Sequence, residues 1–164
     1  MVEWIKCHDI VLDNGELVLS PLNDSHFPLL YKWNSHPDIL EIDGSDDPKQ
    51  VREIYAKCSA AGYAFLIEFE GFAIGECLLA KRTIGNDKVG WGIDILIGEV
   101  DYWGRGIGTK VIKTLVKFAF NEGIAEEVYA AISKNNTASQ KTFKKAGFSF
   151  NHQEGDIIYF KISS

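Results

Sequence analysis

Three glycines alternate with other residues in Trp103-Gly104-Arg105-Gly106-Ile107-Gly108-Thr109, just ahead of Lys110, Lys113 and Lys117. The segment 105–121 carries Ile107, Val111, Leu115, Phe118 and Ala119 at helical spacing, and its other face is basic. No acidic residue lies between Asp101 and Glu122. A helix N-terminus presents unpaired N–H groups and a partial positive charge. Glycines there let an anion approach the backbone, so the arrangement suits a phosphate-bearing ligand. It is not a P-loop, because Gly108-Thr109-Lys110 stands where Gly-Lys-Ser/Thr is needed. Nor is G-x-G-x-G after antiparallel segments a dinucleotide fingerprint. From the glycines alone, a tight turn with close helix packing explains the pattern equally well.

A second candidate lies immediately upstream. In Trp91-Gly92-Ile93-Asp94-Ile95-Leu96-Ile97-Gly98, strand alternation sets Trp91, Ile93, Ile95 and Ile97 on one face. Gly92, Asp94, Leu96 and Gly98 take the other. A carboxylate in so apolar a strand is unusual, though a salt bridge alone would account for it. Glu41, Asp43, Asp46 and Asp47 form a separate acidic segment, for which a solvated loop with Asp47 capping the next helix is the plain alternative. Trp33, Trp91 and Trp103 are candidates to line a pocket, with core packing as the alternative for each.

The charge of −6 is unevenly spread. Residues up to Trp103 carry eighteen acids against eight bases, and the remainder five against nine. One part is suited to a cation and the other to an anion. The acidic balance disfavours nucleic acid. Cys7, Cys58 and Cys77 are widely spaced, form no C-x-x-C pair and have no cluster of histidines beside them, so no metal is expected. No apolar run is long enough for a membrane helix, and the N-terminus lacks a secretory pattern; the expected compartment is the cytoplasm.

These residues need elements to hold them. At 164 residues the chain is expected to be one domain, with residues 1–15 adding an N-terminal strand or hairpin. Asn14-Gly15 suits a hairpin turn, Asp24 or Ser25 a helix cap, Pro48 a first helical turn and Gly62 the end of that helix. Strands are expected at 63–70, 72–82 and 89–99, joined by short turns and therefore antiparallel. A helix at 105–121, a strand at 126–133, a helix at 137–146 and two final strands follow. The class is α+β, layered α/β/α, with a mixed, mostly antiparallel central sheet flanked by helices.

Two blocks carry a family resemblance. YWGRGIGTKVI resembles the acetyl-CoA diphosphate loop of the GNAT superfamily of N-acetyltransferases, written Q/R-x-x-G-x-G/A. NNTASQKTFKKAGF, residues 135–148, resembles the later N-x-x-A/S segment that ends in an aromatic and Gly-Phe. More narrowly, WGIDILIGEVDYWGRGIGTKVI and FPLLYKWNSHPDILEI are similar to blocks of aminoglycoside 6′-N-acetyltransferases. Ribosomal-protein N-terminal acetyltransferases share the YWG-x-G style of loop.

The resemblance implies acetyl transfer from acetyl-CoA to a primary amine, with no metal. It assigns Trp103, Gly104, Arg105, Gly106, Ile107, Gly108 and Thr109 to the diphosphate, Asn136 and Ser139 to the pantetheine arm, and amides near Leu96 and Ile97 to the thioester carbonyl. Asn136 has helix capping as its alternative role. Asp94 becomes the proton acceptor or an anchor for the amine, and Glu41, Asp43 and Trp91 join it in the acceptor pocket. The implied acceptor is a small cationic amine such as an aminoglycoside. A protein N-terminus and a non-catalytic CoA-binding module are the alternatives, and a homodimer is compatible with each. The sequence departs from the family at Trp103, where Gln or Arg is usual, and at Phe143, where many members carry a Tyr that protonates the departing thiolate.

Overall fold

The structure is a computed structural model that describes residues 3–164. Its strands are β1 (Leu12–Asn14), β2 (Leu17–Pro21), β3 (Gly62–Phe69), β4 (Phe72–Thr83), β5 (Val89–Ile97), β6 (Glu127–Ser133), β7 (Ser149–Glu154) and β8 (Ile157–Ser163). The helices are α1 (Phe27–Asn34), α2 (Pro37–Leu40), α3 (Pro48–Ala60), α4 (Ile107–Asn121) and α5 (Thr137–Lys145). The strands form one sheet in the order β1-β2-β3-β4-β5-β6-β8-β7. Each neighbouring pair is antiparallel except β5 with β6. This is the mixed, mostly antiparallel α+β sheet expected from the order of the elements.

Period-two alternation in the strands gives the sheet two apolar faces, each covered by helices whose apolar stripe recurs at helical spacing. On one face, Val111, Leu115, Phe118 and Ala119 of α4 and Phe143 of α5 pack with Cys77, Leu79 and Ile93. On the other, Leu30 and Trp33 of α1 and Val51 and Tyr55 of α3 pack with Ala64, Leu66 and Leu78. Asp94 opposes Leu78 in the β4–β5 ladder and therefore lies on the α1–α3 face.

Local details differ from expectation where a side chain finds a better partner. The β1–β2 turn is Gly15-Glu16, one residue later than Asn14-Gly15, because Asn14 pairs with Leu17 and the Asp13 carboxylate accepts the Gly15 N–H. Asn23, not Asp24 or Ser25, caps the turn before α1. Asp24 instead accepts the backbone N–H groups of Trp4 and Ile5 and ties down the N-terminal segment. Met1 and Val2 of the expected N-terminal extension lie outside the described residues. Asp47 caps α3 and Pro48 opens it as expected. Gly62 does not end that helix: Ala61 does, and Gly62 begins β3 so close to β4 that a Cβ would strike the Leu79 carbonyl.

Gly98 has the same kind of constraint. A Cβ there would lie inside the indole ring of Trp33, which is fully buried. Gly98→Ala is expected to destabilise the fold by about 1–3 kcal/mol through forced repacking, read as a lower urea midpoint.

Candidate active site

The site begins where β5 leaves β6. These strands pair only at Trp91–Val128 and Gly92–Tyr129, although β5 runs on to Ile97. The Gly98 N–H bonds back to the Ile74 carbonyl. Antiparallel alternation then points the Leu96 amide to β4 and the Ile93, Ile95 and Ile97 amides to the diverging side. Of the two amides expected near the thioester, only that of Ile97 faces the opening; Leu96 serves the ladder. The Ile97 carbonyl accepts the Trp103 indole N–H at 2.7 Å, which ties the glycine loop to the end of β5.

Gly104 and Gly106 adopt φ of 76° and 75°, and a Cβ on either would meet nothing within 4 Å. Their glycine identity therefore reflects left-handed backbone beside open space. Gly106 occupies the N-cap of α4, and no side chain caps that helix. The first-turn amides of a fifteen-residue helix are thus left for a ligand. Gly108 is different: its Cβ would press on Thr142 of α5, so close helix packing accounts for it. Ile107 turns its side chain into the core, leaving only its backbone to the loop. Arg105 lies over the Tyr102 ring at 4.8 Å, and Thr109 sits in the first turn. These open, uncapped amides and the nearby cation fit a diphosphate. Asn136 caps α5 by accepting the Ser139 N–H at 3.2 Å. Phe143 is buried against Phe148, away from any role as a proton donor. Among the described residues there is no group of three His, Cys, Asp or Glu side chains placed to hold a metal ion.

The acidic side is assembled on the α1–α3 face. Asp94 forms an ion pair with Arg82, which lies over Gly92. Burial opposes the charge on Arg82, but Asp94 outweighs it and raises the guanidinium pKa. Partial burial, and after it the charge of Asp94, push Asp43 up, so the two predicted acids lie within electrostatic reach of each other. Glu41 ends α2 and is exposed. Asp47 is committed to capping α3 and Asp46 is exposed. Trp91 lies on the opposite face, stacked with Tyr63 and packed toward α4, so the fold separates it from Asp94. Trp33 is core: its indole donates to Glu99 at 2.9 Å. Glu99 is held below its ordinary pKa by its hydrogen bond to Lys32.

Sequence reasoning missed a buried polar chain on this face. Asn34 of α1 donates to the Tyr55 hydroxyl at 3.0 Å, and Tyr55 donates to Glu76 Oε1 at 2.9 Å. Glu76 Oε2 is buried with no hydrogen-bond partner among the described residues. Burial drives the Glu76 pKa up to about 8, partly offset by Tyr55 and aided by Asp94. Burial also raises Tyr55 well above its ordinary value. A lone acid in the apolar run FAIGECLLA was the available signal, the same one that marked Asp94. Asn34 and Tyr55 carried no such signal.

Comparison with known proteins identifies the family. Residues 16–149 match the acetyltransferase (GNAT) domain. The chain belongs to the GNAT acetyltransferase family and is an acetyl-CoA-dependent N-acetyltransferase. It is 25% identical to aminoglycoside N(6′)-acetyltransferase type 1 of Klebsiella pneumoniae, over 88% of this chain and 80% of that one. Among solved structures it resembles aminoglycoside acetyltransferase AAC(6′)-Ib in complex with coenzyme A and kanamycin. That match has a TM-score of 0.74 and 21% identity, and covers 90% of this chain and 94% of the other. It also resembles RimL, a ribosomal L7/L12 α-N-protein acetyltransferase in complex with coenzyme A, with a TM-score of 0.72 and 16% identity, covering 94% and 98%.

Two outcomes follow from the site. Gly106→Val forces a branched residue into left-handed backbone, a strain of about 1–2 kcal/mol, so coenzyme A binding by calorimetry should weaken roughly tenfold. The second concerns stability. Folded Glu76, at about 8 against an ordinary 4.5, keeps a proton that the unfolded chain releases. Its contribution is complete below the unfolded value and is lost as pH rises through 8. Urea unfolding from about pH 5 to 9 should show wild-type stability falling more steeply than that of Glu76→Gln.

Proposed function

We propose that the acceptor is a primary amine on an aminoglycoside-like cationic small molecule. The observation that carries this reading is the position of Asp94 on β5 just past its last pairing with β6, with Asp43 near enough for the two charges to interact. Two carboxylates close enough to raise a pKa favour a bound cation, which relieves their repulsion. The 25% identity to an aminoglycoside N(6′)-acetyltransferase supports the same acceptor class.

In this reading the amides of the 104–109 loop and Arg105 receive the diphosphate, and Trp103 steadies the loop. Asn136 and Ser139 flank the pantetheine arm. Acetyl-CoA supplies an acyl group activated as a thioester, and the Ile97 N–H polarises its carbonyl. Asp94, already paired with Arg82, holds the acceptor's ammonium through its exposed oxygen. An alkylamine is about 99.9% protonated at neutral pH, so a proton must leave before nitrogen can attack.

The test is acetyl-CoA turnover with kanamycin and with peptides bearing free N-termini. Kanamycin is expected to be acetylated. Asp94→Ala should lower kcat/KM for the amine about 100-fold, the effect of removing one charge-assisted hydrogen bond, without changing coenzyme A affinity. Acetylation of peptides and of no aminoglycoside would move the acceptor to a protein N-terminus.

A further inference from the structure

We propose that Glu76 is the proton acceptor of the transfer reaction, with Tyr55 and Asn34 as its positioning residues, while Asp94 only holds the amine. The assignment rests on the acceptor side lying at Asp94, as in the functional reading above. Glu76 opposes Leu96 and Asp94 opposes Leu78, so the two acids are diagonal neighbours on one face of adjacent strands. The backbone positions of such neighbours lie roughly 7–8 Å apart, which puts both side chains within reach of one small amine and a bridging water.

The two acids are differently equipped. Asp94 is committed to the Arg82 guanidinium by an ion pair. Glu76 has one oxygen fixed by Tyr55 and the other, Oε2, buried without a protein partner. A carboxyl in that state has an unmet site in either protonation form. The groups facing it are Tyr55 and Cys58 on α3, Asp94 on β5 and Arg82 on β4 itself. From α1 comes the neutral Asn34, by way of Tyr55, while β3 contributes the apolar Leu66. Cys77 beside it turns to the other core. Burial dominates this set and leaves Glu76 titrating near neutrality, where a general base works best.

The step balances simply. One N–H bond of the ammonium breaks, its proton passes through the bridging water, and an O–H bond forms at Oε2. The freed nitrogen pair then forms the C–N bond as the C–S bond breaks, with that electron pair leaving on sulfur. The amine's remaining surplus proton passes to solvent or to the thiolate.

The experiment combines kcat against pH with an infrared titration of the protonated carboxyl band in the coenzyme A complex. In wild type, kcat should fall below an apparent pKa of about 8, and the band should titrate at the same pH. Glu76→Gln should remove the band and the limb and lower kcat by ~100-fold or more. Tyr55→Phe removes a hydrogen bond to the carboxylate and should move both limb and band to higher pH. Asp94→Asn removes a like charge and should move them to lower pH, with the limb retained. Coenzyme A affinity and melting temperature check that each variant folds. The proposal is overturned if the band in wild type does not titrate near neutrality. It is also overturned if Glu76→Gln keeps the limb, or if Asp94→Asn abolishes it while the band persists. The infrared titration needs no acceptor, and any primary amine the enzyme turns over serves for kcat. Failure of kanamycin as substrate therefore overturns the acceptor class and not this assignment.

Discussion

Two rungs of parallel pairing join β5 to β6, and the site depends on the ladder stopping there. Past Gly92 the β6-facing side of β5 is released from the sheet, while its other side stays bonded to β4. A strand held on one side only is a rigid row of unpaired backbone groups. Such groups are costly to bury without a partner, so the opening is suited to a ligand that supplies one. The glycine loop follows directly, and its backbone continues the same provision of free amides into the first turn of α4.

Two tryptophans make this opening stiff. Trp33 lies flat against Gly98 and binds Glu99, so α1 bears on the end of β5. Trp103 reaches back to the Ile97 carbonyl and fixes the peptide at the strand's last residue. Positioning of this kind matters because acyl transfer depends on donors aimed at where charge develops.

The sheet also separates opposite electrostatic tasks. The basic residues of α4 extend from the glycine loop on one face, while Asp94, Arg82, Glu76 and Tyr55 gather on the other. Low-dielectric packing around the second group strengthens each charge's effect on its neighbours. The result is two carboxyls of different character on adjacent strands: Asp94 paired with Arg82, Glu76 buried with one oxygen unpartnered.

Much of this was legible beforehand. Alternation in WGIDILIG set Asp94 apart from Trp91, and the glycines before a basic amphipathic segment marked a left-handed turn into an uncapped helix. These signals are local, since strand and helix periods follow from backbone geometry and a left-handed glycine serves its own turn. The role of Asp24 differs from its expected helix cap because the N-terminal segment, distant in sequence, claims its carboxylate. By itself the sequence determined the order of the elements, the faces of the strands and the glycine turn before α4. Only the tertiary structure decided that Asp94 meets Arg82, that Asp43 comes close, and that Asn34, Tyr55 and Glu76 form a chain. Those contacts join α1, α3, β4 and β5 across the chain, and no periodicity encodes which distant side chains burial will bring together.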